Sequence, residues 1–336
     1  MKAMDAPKSR SKDRSSFFPA DVAPVARPRS RGITEVLDRL GGVYPDELAT
    51  LAPYIDVARV GWGLPLLVSR DRLKERIRRY HDVGINVSTS GELLEYAWAQ
   101  DRVEQFLDEA RSLGFDIIET SAGQADIADT QIEGIVKAIK DRGLALVIGV
   151  GGRDPSKQLS LQELISQLSR ARSYTPRRVS LPAPEGGRAG GIYDADTGIK
   201  YDWLRAIVGD RPHDDLLFEA PLEAQQLYLL QELGQEVNIG GVGFTSVAQI
   251  ATQRLGLVSD TATTTVNGKD IGGPPAAKFL YYLLERHRGL DQSQLTRLSR
   301  LPRRTVQSAL ESLRKQGLVK ESIVMHDSRR REYRVV

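Results

Sequence analysis

The chain has 336 residues, 40% of them hydrophobic, and no cysteine. That length suits roughly two domains, and the missing cysteines exclude disulfides, thiolate nucleophiles and Cys-ligated metals. The net charge of +3 hides an asymmetry: residues 1–31 carry eight Lys/Arg against three Asp/Glu and residues 272–336 fourteen against six, so the middle of the chain is acidic between a basic head and a basic tail.

Residues 1–30 are rich in Ser, Pro, Ala and Arg without periodicity and read as a disordered basic arm. No run approaches the ~18 apolar residues of a transmembrane helix, and no apolar h-region marks a secretory signal. A cytoplasmic protein with no membrane partner is therefore expected.

From 31 to 262 one unit recurs: a short Val/Ile-rich run, a polar or Gly-containing turn, then an amphipathic segment. The runs are Ile33–Leu37, Ile55–Val60, Ile85–Ser88, Phe115–Thr120, Ala145–Val150, Arg178–Leu181, Leu216–Ala220 and Glu236–Gly240. Helices are predicted over Arg70–Val83, Gly91–Leu113, Ile127–Arg142, Ser160–Arg172, Tyr201–Val208, Leu222–Leu233 and Ser246–Leu257, with a short first link over Tyr44–Leu51. Strands alternating with helices imply parallel pairing, and eight units in about 230 residues fit an α/β (β/α)8 TIM barrel. A doubly wound sheet is the alternative, but no Gly-x-Gly-x-x-Gly follows the first strand.

Residues 263–275 form a Gly/Pro-punctuated linker. Residues 276–336 then give three helices (276–288, 292–299 and 303–316) and two strands (318–325 and 331–336), the plan of a small winged helix-turn-helix domain. Its basic excess points to duplex DNA. Arg303, Arg304 and Thr305 open the third helix, and Arg329 and Arg330 lie at the hairpin tip. Such modules also mediate protein contacts, and a homo-oligomer is expected.

Barrel active sites lie at the C-terminal ends of the strands. Arg39, Arg59 and Arg153 fall there with Asp38, Glu119 and Glu219. Arginine forks suit oxyanions, and the carboxylates suit Mg2+, so a small, highly anionic ligand bound through a metal is expected. The four histidines lie off the strand ends, which disfavours a His-based centre.

Several segments resemble the phosphosulfolactate synthase family of coenzyme M biosynthesis. They are Arg31-Gly-Ile-Thr-Glu-Val-Leu-Asp38, Tyr54-Ile-Asp-Val-Ala-Arg-Val-Gly-Trp-Gly63, Gly114-Phe-Asp-Ile-Ile-Glu-Thr-Ser121, Gly191-Ile-Tyr193, Phe218-Glu-Ala-Pro221, Val237-Asn-Ile-Gly240 and Arg254-Leu-Gly-Leu257. The resemblance implies a (β/α)8 lyase that adds sulfite to phosphoenolpyruvate with Mg2+. Carried onto this chain, it makes Arg59, Arg153 and Glu185 catalytic. Asp38, Arg39, Gly61, Ser121, Asn238 and Gly240 become substrate-binding, and Glu119 and Glu219 become metal ligands. Arg39 and Arg59 stand where the family usually has lysine. The alternative expectation is a DNA-binding regulator whose barrel senses a small phosphorylated or sulfonated ligand.

Overall fold

The computed structural model describes residues 27–40, 45–61, 63–121, 129–151, 159–183, 190–194, 198–209, 213–258, 274–286, 290–324 and 327–335. The chain divides into two compact units, residues 1–265 and 266–336.

In the first unit eight parallel strands close into a barrel in sequence order. They are β1 (Thr34–Asp38), β2 (Val57–Val60), β3 (Asn86–Ser88), β4 (Ile117–Ser121), β5 (Ala145–Gly149), β6 (Arg178–Leu181), β7 (Leu216–Glu219) and β8 (Ile239–Val242). The main intervening helices are α1 (Pro45–Leu51), α2 (Leu64–Leu67), α3 (Arg70–Asp82), α4 (Gly91–Ala99), α5 (Val103–Leu113), α6 (Asp129–Asp141), α7 (Leu161–Ser173), α8 (Tyr201–Val208), α9 (Glu223–Leu233) and α10 (Val247–Arg254). This is a TIM barrel. Its strands are buried on both faces, and side chains alternate between them. Val36, Ala58, Val87, Ile118, Ile148, Val179 and Phe218 join the large core beneath the helices, whereas Val57, Ile117 and Val147 form a separate apolar cluster. That cluster plugs the barrel's interior. That same inward alternation decides which side chains reach the site.

Three expectations shift. The helix expected over Gly91–Leu113 is two helices, because Asp101 takes a left-handed φ of 56° between them. The eighth strand lies later than Glu236–Gly240. Asn238 spends its side chain joining strand bases, and Gly240, expected to end the run, lies inside the strand beside Gly241, which has a φ of 68°. The last residues of the expected arm are docked: Arg27 donates to the Ile55, Val83 and Gly84 carbonyls, and Arg29 pairs with Asp56. The rest of the arm lies outside the described residues.

The second unit contains α11 (Pro275–Arg286), β9 (Leu290–Asp291), α12 (Gln292–Ser299), α13 (Arg303–Lys315), β10 (Val319–Val324) and β11 (Asp327–Val335). Its three-stranded antiparallel sheet has the order β10-β11-β9, and β9 was not foreseen. Leu280, Leu284, Leu295, Val306, Leu310 and Leu313 build its core. Asp291 caps α12 reciprocally with Gln294, at 2.7 and 2.9 Å. Among the described residues no helix is long and apolar enough to cross a membrane.

Candidate active site

Glu35, Arg59, Glu119 and Glu219 come from β1, β2, β4 and β7, and each is at most 3% exposed. Arg59 Nη1 donates to Glu119 at 3.0 Å (Oε2) and 3.3 Å (Oε1), and also to Glu219 Oε1; Arg59 Nε lies 3.4 Å from Glu35 Oε1. Burial works against the guanidinium's charge, but the three surrounding carboxyl groups outweigh it and raise its pKa well above the ordinary value. Arg59 thus holds its proton permanently and acts here by charge and shape.

The surrounding backbone fixes this group. Glu219 Oε2 accepts from Ala183 N at 3.1 Å, and the Glu219 carbonyl accepts from the buried Tyr193 hydroxyl. Gln226 Nε2 donates to Ala220 O at 2.8 Å and pins the turn after β7. Glycines on β8 supply the room. A Cβ on Gly240 would stand 3.1 Å from Glu35 Oε1, and one on Gly241 3.5 Å from Glu219 Cβ.

The model of the (2R)-phospho-3-sulfolactate synthase (ComA) family matches residues 24–260, which include this whole cluster. The chain belongs to the phosphosulfolactate synthase family. Curated phosphosulfolactate synthases resemble it from Methanocaldococcus jannaschii (32% identity; 69% of this chain, 94% of that protein), Methanothermobacter thermautotrophicus (32%; 70% and 93%) and Bacillus subtilis (28%; 70% and 94%). Residues 266–336 lie beyond the family match.

Against that family frame, the residues expected to share one site are dispersed. Arg59, Glu119 and Glu219 meet as described. Asp38 ends β1 but lies between the barrel and α3. Its carboxylate accepts from both Arg76 nitrogens, Nε and Nη2, from Tyr80 Oη at 2.7 Å and from Leu40 N at 2.8 Å. Burial first, and then Asp38, push the Tyr80 phenol upward, so it remains a donor. Asn238 lies at the strand bases, not among these groups: it accepts from Ile33 N and donates to the Asp214 and Leu216 carbonyls. Arg39 is exposed. Gly61 is buried where a Cβ would press to 2.8 Å from Leu37 Cδ1. Ser121 closes β4, although its side chain lies outside the described residues, as do Arg153 and Glu185.

Glu119 and Glu219, expected as Mg2+ ligands, share Arg59 Nη1. Among the described residues no three acidic or histidine side chains are arranged to hold a metal. The donor chemistry nevertheless suits a hard cation, with three carboxyl groups facing one guanidinium. Glu35 was missed. Its signal was a lone acid at an inward position of an otherwise apolar strand.

In the second unit, Arg303 and Arg304 are exposed at the start of α13 and Thr305 is half-buried. The side chains of Arg329 and Arg330, on β11, lie outside the described residues.

Proposed function

We propose that the barrel is a C–S bond-forming lyase of the phosphosulfolactate synthase type, adding sulfite to phosphoenolpyruvate. The observation that carries this reading is the family match spanning the whole barrel, with the buried Arg59–Glu119–Glu219 group at its centre. In the reaction the sulfite sulfur lone pair forms a bond to the methylene carbon. The double-bond electrons move to the carbon bearing phosphate and carboxylate, and a proton is added there. An acidic cluster repels so anionic a substrate. Mg2+, held by Glu119 and Glu219, would neutralise the substrate's phosphate and carboxylate charge. Arg59 positions those two carboxylates. It transfers no proton, because its guanidinium stays charged. Of the three catalytic candidates only Glu185 carries a readily titrated proton, which makes it the proposed donor, with Arg153 as an oxyanion clamp. Substrate contacts from Arg39, Gly61, Ser121 and Gly240 belong to the same proposal. The test is to incubate the full chain with phosphoenolpyruvate and sulfite, with Mg2+ or with a chelator, and to follow a new sulfonate. Formation in the Mg2+ arm alone is expected, and no sulfonate in either arm would refute the reading.

A second reading concerns residues 266–336, where three helices and an antiparallel hairpin follow the order of a winged helix. The observation favouring DNA contact is that Arg303 and Arg304 stand exposed at the N-terminus of α13, the end such folds place in the major groove. Arg329 and Arg330 near the hairpin turn are proposed phosphate contacts. A gel-shift titration of the full chain should show affinity falling by about 0.9 log units per tenfold salt for each phosphate neutralised. Arg303→Ala should relax sequence preference. No duplex binding at low salt would leave this unit as a protein-contact module.

A further inference from the structure

Beneath the barrel, at the N-terminal ends of the strands, a cavity of about 280 Å3 is lined by Arg27, Arg29, Asp56, Arg177 and Arg178 among others. Arg29 is committed to Asp56, through Nε at 2.8 Å and Nη2 at 2.7 Å. Arg27 donates only to carbonyl oxygens. Arg178 is 7% exposed, gives one hydrogen bond to Ser30 O at 3.0 Å, and has a buried Nε with no hydrogen-bond partner. Among the described residues it has no carboxylate within ion-pair distance, and neither does the exposed Arg177. Arg254 lies nearby. It is half-buried and donates to the Gln235 and Ile33 carbonyls, and its buried Nε too lacks a hydrogen-bond partner.

The cavity lining thus sets four guanidinium groups against one carboxylate, itself already engaged; Glu35 and Asp214 act on Arg178 only from beyond ion-pair distance. Burying an uncompensated charge is expensive, and an opposite charge placed beside it removes much of the cost. Burial and the neighbouring Arg177 lower the Arg178 pKa, and burial with the nearby Arg29 lowers Arg254 to about 9. Both shifts mark a site short of negative charge. The planar forks of arginine match the oxygens of a tetrahedral oxyanion. Three positive charges in excess favour a dianion over a carboxylate.

We infer that this underside cavity binds a phosphate dianion, held by Arg177 and Arg178 with Arg27 and Arg29 as its walls. Val57 of the apolar plug lines this cavity, two residues before Arg59 on β2, so the cavity lies on the N-terminal side of the plug. The site is thus distinct from the one proposed for catalysis and does not depend on that proposal. Inorganic phosphate and a phosphomonoester offer the same chemistry.

The experiment is calorimetric titration of the full chain with inorganic phosphate and, separately, with glycerol 3-phosphate, at constant ionic strength in chloride. Saturable binding is expected. Arg177→Ala, at an exposed position, should weaken it at least fivefold while sulfonate formation continues unchanged. Arg178→Gln should weaken it further. Glu119→Gln should leave phosphate affinity unchanged, which separates this cavity from the proposed active site. Equal affinity for both probes assigns free phosphate; tenfold tighter glycerol 3-phosphate assigns a phosphomonoester, and either supports the inference. No saturable binding, undiminished binding in Arg177→Ala, or binding abolished by Glu119→Gln would overturn it.

Discussion

Within the barrel, one arginine is shared by three carboxyl groups; beneath it, four arginines line a cavity with a single carboxylate in its wall. The same side chain meets opposite fates in the two places. Arg59 is held charged by its neighbours although it is wholly enclosed, whereas Arg178 and Arg254 are drawn down by burial and by other guanidinium groups. Burial alone therefore does not tell what a charged residue is for; the sign of the local imbalance does. An acidic excess asks for a cation, and a basic excess asks for an anion. The distinction also follows the fold, since barrel chemistry gathers at the C-terminal strand ends while the N-terminal end ordinarily serves stability.

The largest effect should come from breaking the interior group. Arg59→Leu leaves three buried carboxyl groups without their counter-charge and should cost about 3–5 kcal/mol of stability. That corresponds to a fall of roughly 2–4 °C in melting temperature per kcal/mol. Arg59→Lys, which keeps the charge but loses the fork, should lose clearly less. Denaturant unfolding of both variants checks this; equal losses would mean that charge is not what matters there.

The matching break beneath the barrel is Asp56→Asn. Asp56 accepts from Arg29 twice and from Thr34 N at 2.9 Å. Its neutralisation should cost about 3 kcal/mol and leave the cavity lining with no carboxylate. Phosphate in place of chloride should then raise stability more in this variant than in Arg59→Leu, whose cavity keeps Asp56 and gains only what the parent chain gains. Thermal melts in the two buffers make the comparison.

A smaller effect tests the room that glycine provides. In Gly240→Ala the new methyl would meet Glu35 Oε1 at 3.1 Å and Leu217 at 3.2 Å. Overpacking of this kind costs about 1–3 kcal/mol. Because Glu35 must move, sulfonate formation should fall more than stability does; parallel losses would show that the glycine serves packing alone.

The barrel was legible because its strands are short apolar runs between amphipathic helices, and the runs predicted at Ala145–Val150 and Arg178–Leu181 differ little from β5 and β6. Glu119 and Glu219 were legible as strand-end acids. Asp38 misled for the same reason. It stands at a strand end, but strand alternation turns it outward to Arg76 and Tyr80, and a count along the chain cannot see which face a helix covers. Asn238 misled because a motif records which residues recur and not whether they bind substrate or tie strands together. Glu35 and the underside arginines went unnoticed because their partners lie far off in sequence: Arg178 reaches back to Ser30.

An exposed charge gives the scale against which the buried ones are read. At the start of α7 the Ser160 hydroxyl accepts from Glu163 N at 3.3 Å, and the Glu163 carboxylate accepts from Ser160 N at 2.7 Å. Ser160→Ala should cost about 1 kcal/mol, well below either buried cluster. The Ser160 backbone N–H, and then its hydroxyl, lower the Glu163 pKa. A depressed carboxylate stabilises the fold above its unfolded pKa and loses that contribution as pH falls through the folded value. The Glu163 half of the cap is thus present at neutral pH and gone in acid. In Glu163→Gln, melting temperature should fall slightly at neutral pH and match the parent chain in acid. A gap that persists in acid would mean that the carboxylate's charge contributes nothing there, and that its shape alone closes the cap.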